Sequence, residues 1–97
     1  MIKINKEMDR ITISGHANYS DTNDIVCASV SSIMYTTVNA ILNIDDKAIK
    51  FNDDNSKCVI EIINHSEVVD KLIDNMMLMF DSLVKDYPNN IKITKED

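Results

Sequence analysis

Two side chains able to act together in covalent catalysis, His16 and Cys27, stand on either side of one short polar loop. They lie in the stretch GHANYSDTNDIVCASVSS, Gly15 to Ser32, which also holds the only glycine of the chain. The thiolate is the reactive form of cysteine, and the unpaired amides and macrodipole of a helix N-terminus favour it. If Asp24 caps the apolar helix that follows, Cys27 is its third residue and lies inside that field. The carboxylate of Asp24 partly opposes the effect, so activation needs His16 as ion-pair partner or base. The amides of Cys27 and Ala28 are candidate oxyanion donors for attack on a carbonyl. Ser31, one turn beyond Cys27 on the same face, is by default a packing hydroxyl and alternatively a hydrogen-bonding group near the site.

Each of these residues also has an ordinary structural explanation. A cysteine in an apolar helix is commonly a small core residue, and a histidine after a strand-ending glycine is commonly a turn residue. What distinguishes this pair is the joint placement across one loop. The other pair, Cys58 and His65, would be roughly 23 Å apart if the chain between them were extended. Cys58 alternates with Ile60 and Ile62 and reads as core. A zinc site from both cysteines and both histidines lacks paired-ligand spacing. A thiol redox sensor would need Cys58 as resolving cysteine, and nothing in the sequence brings it close. A single glycine excludes phosphate-binding loops, dinucleotide fingerprints and nucleophilic-serine elbows. The sequence calls for no cofactor and no metal.

The elements that must position this pair follow from hydrophobic periodicity. Ile2 and Ile4, then Ile11 and Ile13, alternate with polar residues as a β-hairpin, and Gly15 ends its second strand. Strict alternation puts His16 on the side of Thr12 and Ser14, away from the isoleucines, unless Gly15 bends the strand. Residues 17–23 read as a mobile polar loop. The helix after Asp24 runs to about Asn43 or Ile44, with one stripe at Val30, Ile33, Thr37, Ala40 or Ile41 and Ile44. Cys27, Ser31, Met34 and Val38 form a second face beside it. No charge falls between Ile25 and Ile44, so this helix is expected to be covered on most sides, as a buried central helix or a dimer contact. Ala48 to Phe51 and Lys57 to Ile63 read as two further strands. Asn64-His65-Ser66 caps a second helix with its stripe at Val69, Ile73, Met76, Phe80, Leu83 and Tyr87, and Pro88 ends it. Ile91 and Ile93 mark a last strand. The order ββαββαβ predicts an α+β two-layer sandwich, a mostly antiparallel sheet with two helices on one face, as a single domain over 1–97.

At 97 residues the chain has room for one modest core. A formal net charge of -6 with no basic stripe argues against direct nucleic-acid binding and favours a basic protein or peptide partner. No continuous apolar run approaches the ~18 residues of a membrane span, and no secretory signal precedes the first strand. Two well-separated cysteines form no disulfide framework, so the expected setting is the cytoplasm with reduced thiols.

Gly15-His16-Ala17, Tyr19, Asp24-Ile25-Val26-Cys27-Ala28 and Val30-Ser31 together resemble the ribosomal-processing cysteine protease family, Prp. The resemblance implies a cytoplasmic, homodimeric endopeptidase. It would remove a short N-terminal extension from a large-subunit ribosomal protein after an apolar segment with tandem phenylalanines. Carried over by position, Cys27 matches the nucleophile and His16 the general base. Gly15, Asp24, Ala28 and Ser31 match supporting motif positions. Ala17, Asn18, Tyr19, Ser20, Asp21, Thr22 and Asn23 match the substrate-covering loop. Thr22 stands where family members commonly have glycine, which predicts a stiffer or differently shaped loop. The Tyr19 loop and the Met76 to Phe80 region are candidates for receiving the phenylalanines, the latter also being a core or dimer segment. The alternative is a non-catalytic ribosome-assembly or scaffolding module that binds the same partner.

Overall fold

Alternating isoleucines build the sheet. In the computed structural model, which describes residues 1–16, 24–54 and 56–96, the strands are β1 (Ile2–Lys6), β2 (Arg10–Ser14), β3 (Ile49–Asp53), β4 (Lys57–Ile62) and β5 (Ile91–Lys95). The helices are α1 (Ile25–Ile44) and α2 (Glu67–Asp86), giving the order ββαββαβ. The five strands lie in the order β3-β4-β2-β1-β5. All neighbours are antiparallel except β1 and β5, which pair in parallel with Ile2 opposite Ile91. The sheet is therefore mixed, with one parallel pair at its edge.

Period-2 side-chain direction puts Ile2, Ile4, Ile11, Ile13, Ile60 and Ile62 on one face, and all are buried. Lys3, Lys50 and Lys92, on the alternate positions, are exposed. Both helices close over the isoleucine face. α2 contributes Val69, Ile73, Met76, Met77 and Phe80, spaced to share one helical face. Met76 and Phe80 have no exposed surface. That makes the Met76–Phe80 stretch core rather than a receiving surface, and truncating Phe80 to alanine would cost about 3–5 kcal/mol. Ser66 caps α2 by accepting from the Val69 amide at 3.1 Å.

Two elements differ from their sequence-based expectation. The buried stripe of α1 is Val26, Val30, Met34, Thr37, Val38 and Ile41, midway between the two faces the spacing suggested. Ile44, expected in the stripe, is 56% exposed. One sheet and one neighbouring helix cover only part of a helix's circumference, so an uncharged flank of α1 stays open at Ile25, Ala28, Ser32 and Leu42. By length and composition alone α1 could cross a membrane; its buried stripe marks it as the core helix. Strand β3 also starts and ends later than its apolar run. The Ala48 carbonyl is taken by the Ile63 and Asn64 amides. Asn52 and Asp53, weak strand formers, are held in the ladder by Val59 and Cys58 of β4.

Candidate active site

Position Asp24 is fixed by the physics of helix ends. Its backbone is extended (φ -79°, ψ 93°), and its Oδ1 accepts from the amides of Val26 at 3.1 Å and Cys27 at 3.0 Å. Cys27 thus enters the first turn of α1 half-buried. From there Val30, Ser31, Met34 and Tyr35 follow on one helical face and form one wall of a cavity of about 340 Å³. The volume lies within the range of small-ligand and peptide-side-chain pockets.

The opposite wall is one end of the sheet. Ile13 and Ser14 at the end of β2 pair with Cys58 and Lys57 at the start of β4, and Cys58 in turn pairs with Asp53 at the end of β3. All five border the cavity, together with Gly15 and His16. Gly15 adopts φ +86°, and a Cβ there would stand 2.4 Å from the Met1 carbonyl oxygen, so glycine is required by both conformation and space. This turn answers what alternation left open. His16 leaves the strand and borders the cavity beside Ile2, Ile13 and Cys27 instead of lying across the sheet from them.

The structure therefore brings His16, Cys27, Gly15 and Ser31 to one cavity, with Asp24 beneath Cys27 as the cap. Ala28 is exposed and borders a different groove, between α1 and α2. The expected oxyanion donors are corrected on the same ground. The Cys27 amide is taken by the Asp24 carboxylate, and the Ala28 amide by the Asp24 carbonyl at 3.1 Å. The residue that caps the helix consumes the donors that a helix end would otherwise offer. The proposed substrate loop, residues 17–23, lies outside the described residues.

The far end of the cavity holds groups that sequence reasoning missed. The Tyr35 hydroxyl donates to the Asp53 carboxylate, and its ring meets Phe51 edge-on at 5.7 Å and 83°. That acceptor holds the proton on the phenol and pushes Tyr35 up to about 12. Cys58, read from its strand as core, is instead half-buried in the cavity wall, because β4 ends where the helix no longer covers it. Burial first, then the negative charge of Asp53 and a hydrogen bond to it, push the Cys58 thiol up to about 11. The spacing Cys27, Ser31, Tyr35 was a legible signal for this end, since residues four apart share a helix face. Asp53 gave none. His65 lies elsewhere, with Nε2 2.6 Å from Asp9 Oδ1 and Nδ1 2.7 Å from Asp70 Oδ1.

A cysteine in the first turn of a helix and a histidine at a strand exit, bordering one cavity, are the residue set of a cysteine protease. The sequence comparisons agree in class. The model of the cysteine protease Prp family matches residues 1–92, and the chain belongs to that family. None of the curated proteins matches it in sequence. Its fold is similar to that of the essential ribosomal processing protease Prp from S. aureus with a covalently linked product peptide. There the TM-score is 0.91 at 23% identity, over 98% of this chain and 99% of that one. The same S. aureus protease with a substrate peptide gives 0.87 at 20% identity over the same shares. SMU.848 from Streptococcus mutans gives 0.78 at 20% identity, over 99% of this chain and 93% of that one.

Proposed function

We propose that the chain is a cytoplasmic, homodimeric endopeptidase that removes the N-terminal extension of a large-subunit ribosomal protein with a Cys27–His16 dyad. The single observation that carries this reading is that both side chains border the same cavity, one on α1 and one on the turn after β2. The family and the peptide-bound S. aureus structures support the substrate class. The net charge of -6 suits a basic ribosomal protein.

In this mechanism the Cys27 thiolate attacks the scissile carbonyl, forming a carbon–sulfur bond. The tetrahedral species collapses to a thioester as the carbon–nitrogen bond breaks. The His16 imidazolium gives its proton to the departing amine. Water then adds to the thioester while His16 takes its proton, and the carboxylic acid leaves as the thiol is restored.

The test is cleavage of a peptide spanning the extension junction by the native chain, Cys27→Ala and His16→Ala. Cys27→Ala should lose activity by about 10³-fold or more, and His16→Ala by about 10²- to 10⁴-fold. Equal cleavage by all three proteins rules out the dyad. Peptide binding without turnover by the native chain assigns the scaffolding role instead.

A further inference from the structure

The end of the cavity away from His16 carries a carboxylate that the chemistry of the dyad does not use. Asp53 is held by three features of the fold. The β3–β4 ladder places it opposite Cys58, the Tyr35 hydroxyl donates to it from α1, and the Cys58 thiol donates to it from β4. Phe51, two residues earlier on β3, packs edge-on against Tyr35 and keeps that hydroxyl in place. The raised values of Tyr35 and Cys58 mean both donors keep their protons at neutral pH. Asp53 is therefore an anchored negative charge in a cavity whose nearer walls are the apolar Ile2, Ile13, Val30 and Met34.

Lys57 also borders this end. Its amide donates to Asp54 Oδ1 at 2.9 Å, and its ammonium lies close enough to lower the Asp54 carboxyl, so one acid of the turn offsets its charge. The charge left over at this end is that of Asp53. Its distance from the chemistry follows in two independent ways. Tyr35 is eight residues along α1 from Cys27, about 12 Å of helical rise. Across the sheet, β2 and β3 are two strand spacings apart, about 10 Å. An extended peptide advances about 3.3 Å per residue, so either route equals three to four residues.

We propose that Asp53 is a specificity-determining residue that receives a cationic side chain, lysine or arginine, three or four residues from the scissile bond. Tyr35 is the positioning residue that aims it. The proposal rests on the protease reading for the meaning of "scissile bond", but the recognition itself is measurable without turnover.

The experiment uses pairs of peptides that differ at one position, lysine against the near-isosteric norleucine, placed third or fourth from the cleaved bond on either side. The native chain should cleave the lysine member about 10- to 100-fold better in kcat/KM at one of these positions, the size of a charged hydrogen bond. Asp53→Asn should abolish that ratio while cleaving the norleucine member as the native chain does, which also reports that the variant is folded. Tyr35→Phe should reduce the ratio in the same direction. No preference at any of the four placements, or an equal loss for both members in Asp53→Asn, overturns the assignment. Calorimetric binding of the same pairs to Cys27→Ala and to Cys27→Ala/Asp53→Asn gives the same ratio independently of catalysis. A native chain that cleaves neither peptide while Cys27→Ala still prefers lysine removes the protease reading and leaves Asp53 as a binding determinant.

Discussion

At the scale of single residues, Gly15 has the least freedom to change. A side chain there meets the Met1 carbonyl oxygen and must also adopt φ +86°. Gly15→Ala should therefore destabilise the chain by about 1–3 kcal/mol, read as a lower urea midpoint. It should also impair cleavage more than its stability loss explains, because the same turn aims His16. The two thiols differ for a physical reason too. Cys58 is held at about 11 by burial and by Asp53, so an alkylating reagent at pH 8 should label Cys27 and spare Cys58. Labelling of Cys58 should rise only as the pH approaches 11, and peptide mapping by mass spectrometry reads both sites. Equal labelling at pH 8 would remove the anchoring role given to Asp53. His16, Cys27 and Gly15 were legible because their types and order are informative along the chain. Asp53 and Cys58 were not, because strand pairing brings them to the site.

At the scale of elements, two devices hold the helices to the sheet ends. Asp24 caps α1 through two amides, and Asp24→Ala should cost about 0.5–2 kcal/mol by denaturant titration. Asp24→Asn, which caps equally well, should restore most of it. An Asn variant as unstable as the Ala variant would show that the charge matters more than the cap. His65 ties the β1–β2 turn to the first turn of α2 by bridging Asp9 and Asp70. Those two acceptors raise its pKa, the Asp70 bond most. A raised value means the folded state holds the proton more tightly than the unfolded one. Its contribution is therefore full below the unfolded value of about 6.5 and fades as pH rises through the folded value. The native chain's advantage in Tm over His65→Gln should accordingly be largest in mild acid and shrink toward alkaline pH. The reverse trend would mean that His65 is not a proton-dependent tie. Sequence named Ser66 and Asp24 as caps from local rules alone, whereas the Asp9–His65 contact joins residues distant in the chain.

At the scale of the whole molecule, the uncharged open flank of α1 is the feature with most consequence. Ile25 and Met79, 49% and 46% exposed, border an apolar groove between α1 and α2 with Ala28, Ile33 and Leu83. The homodimer proposed above would bury this groove. Sedimentation equilibrium should then give twice the 11.0 kDa of the chain, and Ile25→Glu or Met79→Glu should give the chain mass. A native chain that stays monomeric at micromolar concentration would remove the homodimer from the proposal.

Periodicity and local chemistry determined the seven elements, their order, the isoleucine face of the sheet and the helix that carries Cys27. Each of these depends on residues near one another along the chain. Only the tertiary structure decided which flank of α1 is buried, which way His16 leaves its strand, that Asp24 occupies the amides expected at an oxyanion, and that Tyr35, Asp53 and Cys58 share the cavity. Those outcomes depend on strand register and on the packing of one helix over a sheet, which bring together groups that sequence spacing keeps apart.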